Sequence, residues 1–174
     1  MHDAVQELRT RAELLHHLVK INDEQALRRI RKSAGILNPA EIRRRHCLAV
    51  LAVEFGFANW LHAKRVLSGA SVSDYGTLLY PKRCGGHLNL WFRTHVEAST
   101  VRQSRHGYLL AYRRTFVVVD RLFIESLGLE PDDSGWESLH FDWTHDGLCC
   151  VEVRARMYAT LVAMLALESQ KGVI

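Results

Sequence analysis

Between residues 47 and 57 the chain reads CLAVLAVEFGF, with Glu54 as its one charged side chain. A helix that is apolar all round has no face to give to water, so this stretch predicts a helix buried on every side and central to the fold. Asn38 offers an N-cap oxygen, Pro39 suits the first helical position, and Glu41 follows where a capping box places it. The predicted helix spans residues 39–55, and Gly56 can take the left-handed conformation that closes it. Phe55-Gly56-Phe57 then leads into a second helix. Residues 38–69 thus read as a two-helix core wrapped by both halves of the chain.

The flanks read as helices too. Val5, Leu8, Ala12, Leu15 and Val19 recur at helical spacing over residues 4–20. Asn22-Asp23 breaks that helix and caps the next. The second turns Ala26, Leu27 and Ile30 inward and runs to about Lys32, with Ser33-Ala34-Gly35 ending it. Asn59 caps a short helix through Leu67, with Trp60, Ala63 and Leu67 on one face and Gly69 closing it. The Leu14-Leu15 helix, the Asn22-Asp23 turn, Ala49, Ala52 and the run Phe55-Gly56-Phe57-Ala58-Asn59-Trp60 resemble the helical leader found ahead of ankyrin repeats in bacterial proteins. The likeness covers residues 8–69, and no ankyrin repeat follows. It implies a helical module and no chemistry. The whole chain is also similar to bacterial proteins of this length.

Residues 70–76 are short and polar and read as a linker between subdomains, 1–69 and 77–174, packed on each other. Beyond it the pattern changes. Thr77 to Tyr80 predicts a strand stopped by Pro81, Cys84-Gly85-Gly86-His87 a turn, and Leu88 to Phe92 a half-buried strand. Thr94 and Glu97 form a capping-box pattern for a helix through about Ser104. Tyr108 to Tyr112 and Thr115 to Val119 are rich in β-branched and aromatic residues. Arg113-Arg114 lacks the Gly or Asn of a tight hairpin turn, which leaves one long bent strand as the alternative to a hairpin; the hairpin is preferred. Asp120 caps a short helix ended by Gly128. Residues 131–135 form a loop, with a helical turn at 133–138. Leu139 to Thr144 predicts a last strand. Asp146-Gly147 leads into a terminal helix, 149–168, with Val151, Ala155, Tyr158, Val162 and Leu165 inward and Met157, Leu161 and Met164 beside them. The fold class is α+β: an N-terminal helical subdomain packed on a small, mainly antiparallel sheet, with the long C-terminal helix across it and Tyr158 and Val162 facing Leu110 or Val118.

Charge is unevenly placed. Residues 1–70 hold 12 Lys and Arg against 7 Asp and Glu, and residues 71–174 hold 11 against 12. The candidate binding face is therefore Arg28, Arg29, Arg31, Lys32, Arg43, Arg44 and Arg45, suited to an acidic protein or a nucleic acid. The alternative is a solvated face whose arginines pair with Glu24 and Glu41. Ala52 and Gly56 have helix-turn-helix spacing, but the next helix would then bury His62 and Arg65. No apolar run nears the ~20 residues of a membrane span. Met1-His2-Asp3 lacks the order of a signal peptide, which predicts a cytoplasmic protein with Cys47, Cys84, Cys149 and Cys150 as thiols.

Other constellations are sparser. Cys84-x-x-His87 has metal-ligand spacing, and His95, His140, Asp142, His145, Cys149 and Cys150 could complete a site, yet structural zinc needs a second such pair. Cys84 with His87 could also form a thiol–base pair. Asp120, Asp132, Asp133, Glu137, His140, Asp142, His145 and Asp146 concentrate acids and imidazoles. With Trp136 and Trp143 taken as exposed, residues 131–146 become the preferred ligand-facing region, centred on Trp136, His140, Asp142 and His145. No phosphate-cradling glycine motif occurs, and no cofactor is expected. The leading expectation is a non-enzymatic interaction module with a basic helical face. The alternative is a small hydrolase or transferase with its site in the C-terminal half. An enzyme should show a cleft lined from 84–95 and 131–146, and a module a flat basic or apolar patch.

Overall fold

The computed structural model describes residues 3–170, with side chains through Leu165; Met1, His2 and residues 171–174 lie outside. Four helices open the chain: α1 (Ala4–Lys20), α2 (Glu24–Ala34), α3 (Arg44–Glu54) and α4 (Trp60–Leu67). Their caps are those the sequence carries. Asp3, Asp23 and Asn59 each accept a backbone N–H of their helix, and Gly35 closes α2 in the left-handed region. On α1, Ala4, Val5, Leu8, Ala12, Leu15 and Val19 are buried. That single stripe feeds two cores. Val5 and Leu8 join a large cluster shared with the C-terminal half, and Ala12, Leu15 and Val19 join a smaller one with α2 and α3.

The expectation for residues 39–57 needs correcting. Asn38 caps only a 3-10 turn, Pro39–Glu41, and the helix begins at Arg44. Nor is α3 buried on every side. Cys47, Val50, Leu51 and Ala52 are inside, while Ala49 and Val53 are exposed, Val53 to 53%. Apolar residues inside do not require every apolar residue to be inside. Helix α3 packs on α1, α2 and α4, and it is α1 and α4 that carry the contact to the terminal helix.

The C-terminal half is a three-stranded antiparallel sheet with helices. Strands β1 (Leu90–Phe92), β2 (Tyr108–Tyr112) and β3 (Thr115–Val119) lie in the order β1-β3-β2. Helix α5 (His95–Arg105) packs against all three strands, with Ala98 against Leu109 and Val118 on that face. Helices α6 (Arg121–Leu127), α7 (Gly135–Ser138) and α8 (Leu148–Gln170) complete the chain. The fold is thus α+β. Leu110 shares the large core with Tyr158 and Val162, while Val118 belongs to the opposite face of the sheet.

Two expected strands are absent from the sheet. Residues 77–80 form a turn, and residues 139–144 form turns joined to β2 by one isolated bridge, Leu109 to Asp142. His140 and Phe141 both have positive φ, 51° and 56°, which no extended strand permits. The hairpin is present, and its turn is unusual. Arg113 sits at φ 53°. It is held there by two backbone hydrogen bonds to the supposed linker: Arg113 N–H donates to Gly76 O at 2.7 Å, and Tyr75 N–H to Arg113 O at 3.0 Å. Residues 70–76 therefore serve as a docking strap for the hairpin, with Tyr75 buried.

Helix α8 is rotated from its expected setting. Val151 is 41% exposed, and the buried face is Cys150, Arg154, Met157, Tyr158, Leu161 and Val162. Arg154 is 1% exposed. Its guanidinium donates to three backbone carbonyls: Gly69 at 2.8 Å, Trp143 at 3.2 Å and His145 at 2.6 Å. Gly69 has φ +79°, and a Cβ there would stand 2.0 Å from Val151 O, so only glycine lets α8 approach the end of α4.

Two outcomes follow for stability. Arg154→Met keeps the apolar stem but orphans the carbonyls, and it should lower the unfolding free energy in urea by roughly 2–4 kcal/mol; a loss below about 1 kcal/mol would deny the clamp its role. At the hairpin, Arg113→Gly should stay within about 0.5 kcal/mol of the parent, because relief of the left-handed backbone offsets the added chain entropy. Arg113→Val should cost roughly 1–2 kcal/mol, a β-branched residue being poorly suited to that conformation.

Candidate functional site

The seven basic residues of the helical half separate into two groups. Arg28 pairs with Glu24 at 3.0 Å, Arg29 with Glu54 at 2.6 Å, and Arg44 with Glu13 at 2.6 Å. Glu41 takes Asn38 Nδ2 instead of an arginine. Among the described residues no carboxylate lies within ion-pair distance of Arg31, Lys32, Arg43 or Arg45, all exposed. Arg43 also borders a recess of about 520 Å³ between the end of α1 and the 3-10 turn, lined by His16, Lys20, Asn22 and Asn38 among others and by no acid. Burial and the guanidiniums of Arg45 and Arg43 push His46, at the start of α3, below its ordinary pKa.

The helix-turn-helix pattern lacks its core. His62 is half-buried, but both ring nitrogens are committed: Nε2–H donates to Asp74 O at 2.7 Å, and Nδ1 accepts from Ala58 N–H at 3.1 Å. Arg65 is exposed, and α4 packs through Ala63, Val66 and Leu67.

Trp136 and Trp143 are fully buried, which corrects their assignment to a ligand-facing surface. They link the sheet to α8 through ring contacts: Tyr108 to Trp136 at 4.9 Å, Trp136 to Trp143 at 5.6 Å, and Trp143 to Tyr158 at 5.1 Å. Trp136 Nε1–H finds Glu130 O and Trp143 Nε1–H finds the Tyr158 hydroxyl, each at 3.0 Å. Burial pushes the Tyr158 phenol well above its ordinary value.

The His140 and His145 rings lie against each other, tilted by 58° with centroids 4.4 Å apart. Asp142 is 7% exposed; its Oδ2 accepts from His95 Nε2 at 2.6 Å and its Oδ1 accepts from the N–H and hydroxyl of Thr144. The carboxylate can only accept, so His95 carries its proton on Nε2. His95, at the start of α5, lines an open cleft of about 380 Å³ together with Ser73, Arg113, Arg114, Thr144 and Asp146. His95 comes from stretch 84–95 and Thr144 and Asp146 from 131–146, while the rest of the lining belongs to residues 71–75 and 111–116. Among the described residues no hydroxyl or thiol is hydrogen-bonded to His95, whose partner is the Asp142 carboxylate. Sequence spacing alone marks His95 only as a spare metal ligand. The sequence signal that could have found this site is the capping box that starts α5 and presents His95 at its first position.

Asp120, Asp132 and Asp133 have structural partners. Asp120 caps α6. Arg121 beside Asp132 and Arg156 beside Asp133 hold both carboxyls below the usual range. Cys84 is buried and takes the Ser126 hydroxyl at 3.5 Å, while His87 packs edge-on against Phe123. Among the described residues no hydrogen bond joins the Cys84 and His87 side chains, and no group of three or more His, Cys, Asp or Glu could hold a metal ion. Cys149 is exposed and Cys150 buried, its thiol pushed up by burial and by Cys149. No protein family, curated protein or solved structure matches the chain.

Asp133 gives an acid signature. Its pKa is depressed by the hydrogen bond from Arg156, with Gly135 N–H adding to it, so its stabilisation is present above the unfolded value of about 3.9 and is lost as pH falls through the folded value. Urea midpoints followed down from about pH 6 should fall less steeply below about pH 4 in Asp133→Asn than in the parent. Parallel curves would show that the pair contributes nothing.

Proposed function

We propose that the protein is a non-enzymatic interaction module of a bacterial cytoplasm that engages an acidic protein or a nucleic acid through its helical half. The observation that carries this reading is how that half spends its acids. Asp3 and Asp23 cap helices, and Glu7, Glu13, Glu24 and Glu54 each bind an arginine. Glu41 is tied to Asn38. The basic surplus is left uncancelled at Arg31, Lys32, Arg43 and Arg45, with Lys20 beside Arg43 in the recess, and it faces water. An exposed cation without a partner adds little to folding but much to association with a polyanion. The likeness of residues 8–69 to the leader of ankyrin-repeat proteins supports a module that accompanies a partner. The cytoplasmic setting is supported by the four unpaired cysteines. No helix among the described residues is long and apolar enough to cross a membrane.

Fluorescence anisotropy with a labelled DNA duplex and with an acidic peptide tests this. Binding to at least one is expected at low salt; for the duplex, four phosphate contacts would give a slope of log K against log salt of roughly −3 to −4. Reversing Arg31, Lys32, Arg43 and Arg45 to Glu should abolish the binding. The absence of binding to both probes near 50 mM salt, where phosphate contacts are strong, or a reversed variant that binds as the parent does, would overturn the reading.

A further inference from the structure

We propose that the cleft between the strap 71–75, the hairpin turn and α5 is a second site, which takes a small molecule bearing a terminal oxyanion, phosphate or carboxylate. The first support is the pair behind His95. Asp142 and Arg154 are the buried charged residues among those described, and burying a carboxylate costs several kcal/mol unless its lone pairs are used. Asp142 spends one oxygen on Thr144 and the other on His95. The imidazole side chain is still 45% exposed on the cleft. With Nε2 held by Asp142, Nδ1 is the ring nitrogen left for a ligand: neutral it accepts a proton from an acid oxygen, and charged it donates to an oxyanion.

The second support is the hairpin turn. Arginine stands at φ 53°, where glycine or asparagine would be relaxed. Residues held in sparsely populated backbone conformations cluster at ligand clamps and active sites. Arg113 lies over the Tyr112 ring at 5.9 Å, with no carboxylate at ion-pair distance among the described residues. Arg114 is 80% exposed, and its nearest carboxylate, Asp74, is 3.9 Å away. Both line the cleft with His95. Asp146 is the one acid of the lining, and the Asp142 oxygens are already taken up by hydrogen bonds from His95 and Thr144. The lining therefore favours an anion at the arginines. Val72, Tyr75 and Phe116 supply apolar wall for the body of the ligand. The cleft, about 380 Å³, is within the range of small-molecule sites.

The test is NMR titration of the His95 ring and of the Arg113 and Arg114 side chains with phenyl phosphate and, separately, benzoate, at about 0.1 M NaCl so that unspecific attraction is screened. Saturable shifts of His95 and both arginines are expected with at least one probe, with Kd about 1 mM. Phosphate alone, carboxylate alone or both would each support the site and name its ligand chemistry. The double variant Arg113→Gly, Arg114→Gln should weaken binding at least roughly tenfold. Arg114→Gln alone, at a largely exposed position, should weaken it severalfold and serves if the double variant does not fold. The variant with Arg31, Lys32, Arg43 and Arg45 reversed should bind the probes as the parent does, which separates this site from the polyanion surface. Absence of saturation up to about 50 mM probe, or unchanged binding in the arginine variants, would overturn the proposal.

Discussion

Arg154 is the constraint on which the arrangement of this protein depends. Its charge is almost wholly removed from water and, among the described residues, meets three carbonyls and no carboxylate. A guanidinium tolerates this better than an ammonium, because its hydrogens lie in a fixed plane and it is more weakly hydrated. One carbonyl, Gly69, ends α4 in the helical half. The other two, Trp143 and His145, belong to the loop before α8. A single side chain therefore fixes three separate parts of the chain, and Gly69 lets their backbones come close enough for it to reach.

The consequences run outward from that clamp. By holding 143 and 145, Arg154 sets the loop that carries Asp142, and Asp142 in turn sets His95 at the mouth of the cleft. The buried rings of Trp136 and Trp143 carry the same loop onto the sheet through Tyr108 and onto α8 through Tyr158. Packing and polar satisfaction thus agree in this region, as they must where polar groups are buried. The hairpin turn is fixed independently by its docking on Tyr75 and Gly76. The cleft lies where these two constraints meet, while the basic helical surface lies apart from both.

Local signals in the sequence were legible where the physics is local. The stripe of α1, the caps Asp23, Asn59, Thr94 and Asp120, and the closing glycines Gly35 and Gly128 are short-range hydrogen-bonding and periodicity effects. So are the two strands of the hairpin. What the sequence did not disclose is tertiary. Nothing local marks Arg154 as buried until the carbonyls it serves are known, and apolar periodicity alone turns Val151 inward. Residues 139–144 alternate like a strand, but the left-handed backbone at His140 and Phe141 coils them into turns. Ala49 and Val53 read as buried because nothing in a sequence marks the side of an apolar helix that lacks a neighbour. Of the site, the spare cations were visible as a charge surplus. The pairing of His95 with Asp142, 47 residues away, was not.

The central claim is that the clamp and the aromatic rings make the helical half and the sheet half one cooperative structure. Equilibrium urea unfolding followed by tryptophan fluorescence and by far-ultraviolet circular dichroism tests it, since Trp136 and Trp143 report the junction and the helices dominate the dichroism. Coincident transitions with one midpoint are the predicted result. A fluorescence change completed while most of the helical signal survives would show that the halves fold separately, and would contradict it.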